Sequence, residues 1–168
     1  LLRVSGKLRQ AGDIQTAETA LQQAAKSAAD VSDPTERAKA LNQVALALAK
    51  SQRDGEAVKL LRSATAAMNE SQDERAQVSA ASQIAFTYGR YLNSDAVARE
   101  LLDNAEAAAK SIAADDEQSA ALGQLALARF LLNQRDAALV LLEQAATAAR
   151  RTTDPRKRSD ALSSVVSR

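Results

Sequence analysis

One short pattern of small and branched residues returns along this chain at almost constant spacing, and few folds can accommodate that. Ala17, Leu21 and Ala24 are arranged A-x-x-x-L-x-x-A, and the arrangement recurs at Ala57, Leu61 and Ala64, at Ala98, Leu102 and Ala105, and at Ala138, Leu142 and Ala145. The steps between copies are 40, 41 and 40 residues. Repeats of this length mark stacked supersecondary units, each unable to bury its apolar face alone. A second run keeps the same step. Leu41-Asn42-Gln43-Val44-Ala45 corresponds to Ala81-Ser82-Gln83-Ile84-Ala85 and to Leu122-Gly123-Gln124-Leu125-Ala126. The stretch from Ala85 to Ala98 is one residue longer than its counterparts, which predicts an altered turn in that unit.

The periodicity within each run is helical. Leu41, Val44, Ala45 and Leu48 fall at i, i+3, i+4 and i+7, one face of a helix. Ala, the strongest helix former, fills roughly a quarter of the chain, and 5 Gly with 2 Pro are too few for the turns of an all-β fold. Asp33-Pro34 and Asp154-Pro155 read as helix starts, with Asp at the N-cap and Pro at the first helical position, and Asp73 stands one repeat after Asp33. Asp33 with Glu36 and Ser71 with Glu74 have capping-box spacing. Breaks fall at Gly12-Asp13, Arg53-Asp54-Gly55, Asn93-Ser94-Asp95 and Asn133-Gln134-Arg135-Asp136. The predicted first helices of the units run about 1–11, 34–51, 74–92, 116–132 and 155–168, and the second helices about 14–30, 55–70, 95–112 and 136–151. Breaks every ~20 residues argue against a long coiled coil, which needs unbroken heptads.

The chemistry-bearing residues are sparse. With no His and no Cys, the commonest zinc ligands and general bases are missing, and no phosphate loop, nucleophile elbow or dinucleotide fingerprint occurs. No catalysis, cofactor or metal site is expected. Charge is balanced, 22 basic against 21 acidic residues, so nothing draws the whole chain to nucleic acid or membrane. No apolar run approaches the ~20 residues that span a bilayer, and a soluble cytoplasmic or periplasmic protein is expected. Two clusters carry double readings. Asp115-Asp116-Glu117 suits a helix N-terminus through the macrodipole, or a cation. Arg150-Arg151 to Arg156-Lys157-Arg158 suits a solvated inter-helix loop, or contact with nucleic acid or an acidic partner; Asp154 interrupts it and no aromatic residue is interleaved.

A small residue in the first helix, a turn with Gly or Asn, A-x-x-x-L-x-x-A in the second helix, then Pro: this order resembles the tetratricopeptide repeat. Gly12-Asp13 with Ala17, Leu21, Ala24 and Pro34 is the closest match, and Ala45, Ala85 and Ala126 take the family's small position. The period here is about 40 instead of 34, and the family's aromatic positions are mostly Leu or Ala. The resemblance implies an all-α, right-handed superhelix of antiparallel helix pairs, one repeat domain over 1–168 with units at about 1–32, 33–72, 73–114 and 115–153 and a terminal helix at 154–168. It also implies a scaffold that binds a protein or peptide on the concave face lined by the first helices. Alignment places Lys39, Asn42, Gln43, Leu46 and Lys50 there, then Gln83, Phe86 and Arg90, then Gln124, Leu127 and Phe130, with Arg9 and Gln10 in the first unit. Gln43, Gln83 and Gln124 form a ladder that either pairs with a peptide or bonds between helices. Phe86 is either a groove anchor or core. The family's carboxylate clamp does not carry over, because its Asn position holds Leu46, Phe86 and Leu127. The other function class is structural: Leu162, Val165 and Val166 lack a second helix to cover them, which predicts self-association through a terminal helix or a segment of a longer solenoid.

Overall fold

The four copies of the small-residue motif lie on four helices that never touch one another extensively. In the computed structural model, which describes Leu2, Gly6, Lys7 and residues 12–166, the elements are α1 (Ile14–Ala29), α2 (Pro34–Ala49), α3 (Asp54–Glu70), α4 (Glu74–Leu92), α5 (Asp95–Ser111), α6 (Asp115–Leu131), α7 (Arg135–Arg151) and α8 (Pro155–Val166). No strand occurs among the described residues. The helix predicted at about 1–11, with Arg9 and Gln10, falls largely outside the described residues. The odd-numbered helices carry the motif. Each even-numbered helix packs on the odd helix before it, on the odd helix after it, and on the even helices of neighbouring units. Odd helices make no comparable approach to each other. The stack is therefore tight along its even helices and open along its odd ones, which curves it with α2, α4 and α6 inside. The fold is an all-α helical-repeat solenoid.

The repeat is the core. Ala17, Ala57, Ala98 and Ala138 are buried, as are Leu21, Leu61 and Leu102 and the inner-helix residues Ala45, Ala85 and Ala126. Ala at these positions lets helix backbones approach closely. It contributes little burial energy itself, since each buried CH₂ is worth about 0.8 kcal/mol. The larger share comes from Leu61, Ile84, Leu102, Leu125 and Leu141, all fully buried.

Helix ends match the reading with two corrections. Asp13, Asp33 and Asp73 accept from the backbone N–H groups of Thr16, Glu36 and Ala76 at 3.1, 2.8 and 3.1 Å. The cap of α4 is thus Asp73 and not Ser71, whose hydroxyl oxygen instead accepts from the Asp73 N–H at 3.2 Å. The left-handed residue of each hairpin recurs in register at Gly12, Gln52, Asn93 and Asn133. In the second hairpin Gln52 takes that conformation, while Gly55 lies inside α3. The extra residue predicted in the third unit lengthens α4 to 19 residues, with the Asn93 N–H reaching back to the Tyr88 carbonyl.

Candidate functional site

Because a 40-residue step returns the same helix face, the inner helices bring matching positions of three units into one groove. Asn42, Gln43 and Leu46 from α2, Ser82, Gln83, Phe86 and Thr87 from α4, and Gln124, Leu127, Ala128 and Leu131 from α6 line a hollow of about 280 Å³. Of the residues predicted for the concave face, Asn42, Gln43, Leu46, Gln83, Phe86, Gln124 and Leu127 converge there.

Their polar groups divide between fold and surface. The Thr87 hydroxyl donates to Asn42 Oδ1 at 2.9 Å, and Gln124 Nε2 donates to Ser79 Oγ at 3.1 Å. Both bonds link neighbouring inner helices, so Asn42 and Gln124 serve the stack first. Gln43 and Gln83 are exposed and make no side-chain hydrogen bond among the described residues, which leaves two amides facing the groove. Phe86 is half-buried and packs edge-on against Tyr91, ring centroids 6.0 Å apart at 77°.

Four predicted residues lie outside that lining. Lys39 is paired with Glu36 at 2.8 Å near the start of α2. Lys50 sits with its Nζ 5.4 Å from the centroid of Tyr91, a cation–π contact at the groove's rim. Arg90 is exposed and unpaired among the described residues. Phe130, 53% exposed, belongs to a separate hollow of about 400 Å³ at the α6–α7 end, shared with Leu127, Arg135, Leu139 and Leu142. Tyr91 lies between Tyr88 and Asn93, the stretch that holds the extra residue, so alignment gives it no fixed counterpart in the neighbouring units.

The acidic and basic clusters meet each other. Asp115 pairs with Arg151 at 2.9 Å, Asp116 with Lys157 at 3.0 Å, and Glu117 with Arg75 at 3.1 Å. The first turn of α6 is thereby tied to α7, α8 and α4. The hydrogen bond from Lys157 holds the Asp116 carboxyl below the ordinary carboxylate range and lifts the lysine above its own.

On the outer side the seams between units differ. The inner-helix position that faces outward between odd helices is Leu48 in α2, Tyr88 in α4 and Arg129 in α6, one repeat apart. All three are buried. Arg129, 4% exposed, donates to Asp103 at 2.6 Å, to Glu106 at 3.3 Å and to Gln134 at 2.8 Å. It was not foreseen as a functional or structural residue; an Arg inside the apolar run Leu125-Ala126-Leu127-Ala128-Arg129-Phe130 was the available signal.

Comparison with known proteins adds the fold alone. No family model matches the chain, and no curated protein matches it. Among solved structures, the crystal structure of Ton1535 from Thermococcus onnurineus NA1 superposes with a TM-score of 0.75 at 17% identity, covering 98% of this chain and 44% of that one. The chain thus spans less than half the length of that protein. Among the described residues no helix is long and apolar enough to cross a membrane.

Proposed function

We propose that this chain is a tetratricopeptide-like scaffold that holds an extended segment of another protein in the groove across α2, α4 and α6, with no catalytic step. The observation that carries the reading is the convergence of Leu46, Phe86 and Leu127 beside the unpaired amides of Gln43 and Gln83. An apolar strip anchors side chains, and amides pair with a peptide backbone through donor and acceptor alike. The test is selection from a random peptide display library on the immobilised protein. Selected peptides should share an apolar anchor and lose binding to Leu127→Lys and to Gln83→Ala, with circular dichroism showing both variants folded. Peptides that bind these variants unchanged defeat the reading.

One observation favours a second, structural reading. Phe130 on α6 and Leu139 on α7 are exposed and share an apolar hollow with Leu127 and Leu142, which the 12-residue α8 leaves open. At the matching place one unit earlier, Gly89 lies against Leu132, which follows α6. A further helical unit would cover the hollow in the same way. Phe130→Lys with Leu139→Lys should then abolish any concentration-dependent association seen by sedimentation; association that survives both changes removes this reading.

A further inference from the structure

The second outer seam holds a cleft whose polar groups lack partners. Between α3 and α5, over α4, a hollow of about 550 Å³ is lined by Val58, Arg62, Thr65 and Asn69 on one side, Val97, Glu100, Leu101 and Asn104 on the other, with Tyr88 and Ser94 beneath. Thr65 and Ser94 donate to backbone carbonyls of Leu61 and Leu92. Arg62, Asn69, Glu100, Asn104 and the Tyr88 hydroxyl make no hydrogen bond or ion pair among the described residues. Tyr88 is 6% exposed. Burial raises its phenol pKa, and the nearby Arg62 charge opposes that rise. The ring is what is buried; the hydroxyl lines the open cleft and is free to bond whatever enters it.

The neighbouring seam shows what completes such a site. The residues of α5 that match Arg62 and Thr65 are Asp103 and Glu106, and the residue of α6 that matches Tyr88 is Arg129. There a guanidinium and two carboxylates close the space between them. In the second seam the guanidinium is carried by the outer helix, the inner helix offers a neutral phenol, and the places of Asp103 and Glu106 hold Arg62 and Thr65.

We propose that this cleft binds a small aliphatic monocarboxylate, its oxygens taken by the Arg62 guanidinium and the Tyr88 hydroxyl and its hydrocarbon body laid against Val58, Val97 and Leu101. Glu100 lines the same cleft and disfavours anions in proportion to their charge, so phosphate is disfavoured more strongly than a monocarboxylate. The site is independent of the inner groove and stands or falls separately from it.

The experiment is calorimetric titration of the whole chain with isocaproate, a branched aliphatic monocarboxylate. Isocaproamide serves as the neutral control and inorganic phosphate as competitor. Isocaproate should bind saturably; isocaproamide should bind at least about tenfold more weakly, since hydrogen bonds to a charged group are the stronger kind. Arg62→Gln should lose about tenfold, Tyr88→Phe about threefold to tenfold, and Glu100→Gln should not weaken binding. Phosphate should not compete. The chain has two tyrosines and no tryptophan. Tyrosinate absorbance therefore gives a second readout: bound isocaproate should move one tyrosine ionisation to higher pH, an effect absent in Tyr88→Phe. No saturable binding, equal binding of the amide, or unchanged affinity in folded Arg62→Gln and Tyr88→Phe each overturns the proposal.

Discussion

The second and third outer seams occupy the same place in successive units and are closed by opposite means. In the third, Arg129 reaches outward from α6 and is gripped by Asp103, Glu106 and Gln134. In the second, Tyr88 fills the floor and the cleft above it stays open, with Arg62 unpaired. The first seam is simpler again: Leu48 fills the position, and Arg53 spans to Glu18 at 3.7 Å and to Glu56 at 2.7 Å. A solenoid needs some side chain to bridge the gap between its odd helices, but the fold does not dictate which chemistry does it. Where bridging fills the space between the odd helices, as Arg129 does with Asp103 and Glu106, the seam is structural. Where it leaves groups over, the seam can bind.

The sharpest way to break this contrast is to strip the acids from the third seam. Asp103→Ala with Glu106→Ala leaves the Arg129 guanidinium buried without a counter-charge, and unfolding in urea should show a loss of about 3–5 kcal/mol. Adding Arg129→Met should restore most of it, because the charge needing a partner is gone; failure to rescue would mean the pair is not what holds the seam. Next in size is a transplant. Arg62→Asp, Thr65→Glu and Tyr88→Arg together copy the third seam into the second. The copy should cost about 1–4 kcal/mol, since a buried ion pair is often less stabilising than the packing it replaces. It should also fill the cleft and abolish isocaproate binding.

A smaller effect separates the inner side from both seams. Phe86→Ala should lower affinity for a groove-selected peptide by about 2 kcal/mol. Being half-buried, it should cost less in folding than the about 3–5 kcal/mol of a core Phe. The smallest concerns the exposed pair Asp116–Lys157. The carboxyl is held low and the lysine high, so the pair contributes fully between their ordinary values of about 3.9 and 10.4. That contribution fades as pH falls through the lowered Asp116 value or rises through the raised Lys157 value. Asp116→Asn should therefore melt slightly earlier than the parent at neutral pH, and the difference should vanish in acid.

What could be read from the sequence was whatever depends on local periodicity. The positions of the motif Ala residues decide which face is buried, and a helix cannot hide a 3.6-residue pattern. Among the described residues boundaries followed for the same reason, to within one or two residues. The errors were local competitions between near-equal candidates: Asp73 over Ser71 as cap, and Gln52 over Gly55 as left-handed residue. The groove was legible where equal spacing superposes positions, as for Gln43 and Gln83. Lys50 and Arg90 were placed by the same alignment but lie outside the lining, with Lys50 held over the Tyr91 ring. The seams were not legible at all. Whether Arg129 finds Asp103 depends on the azimuth of a different helix, and single-helix periodicity carries no information about that.

The even helices touch and the odd ones do not, which makes the inner edge a spine. With packed helices about 10 Å apart, a rotation of about 6° at one seam moves an outer helix by about 1 Å. The third seam resists such rotation because Arg129 staples it on the far side of the spine. The second has no such staple, so it is the joint at which bending should concentrate, directly behind Phe86. Any opening on the outside of that joint narrows the groove on the inside, as the covers of a book move when its spine is flexed.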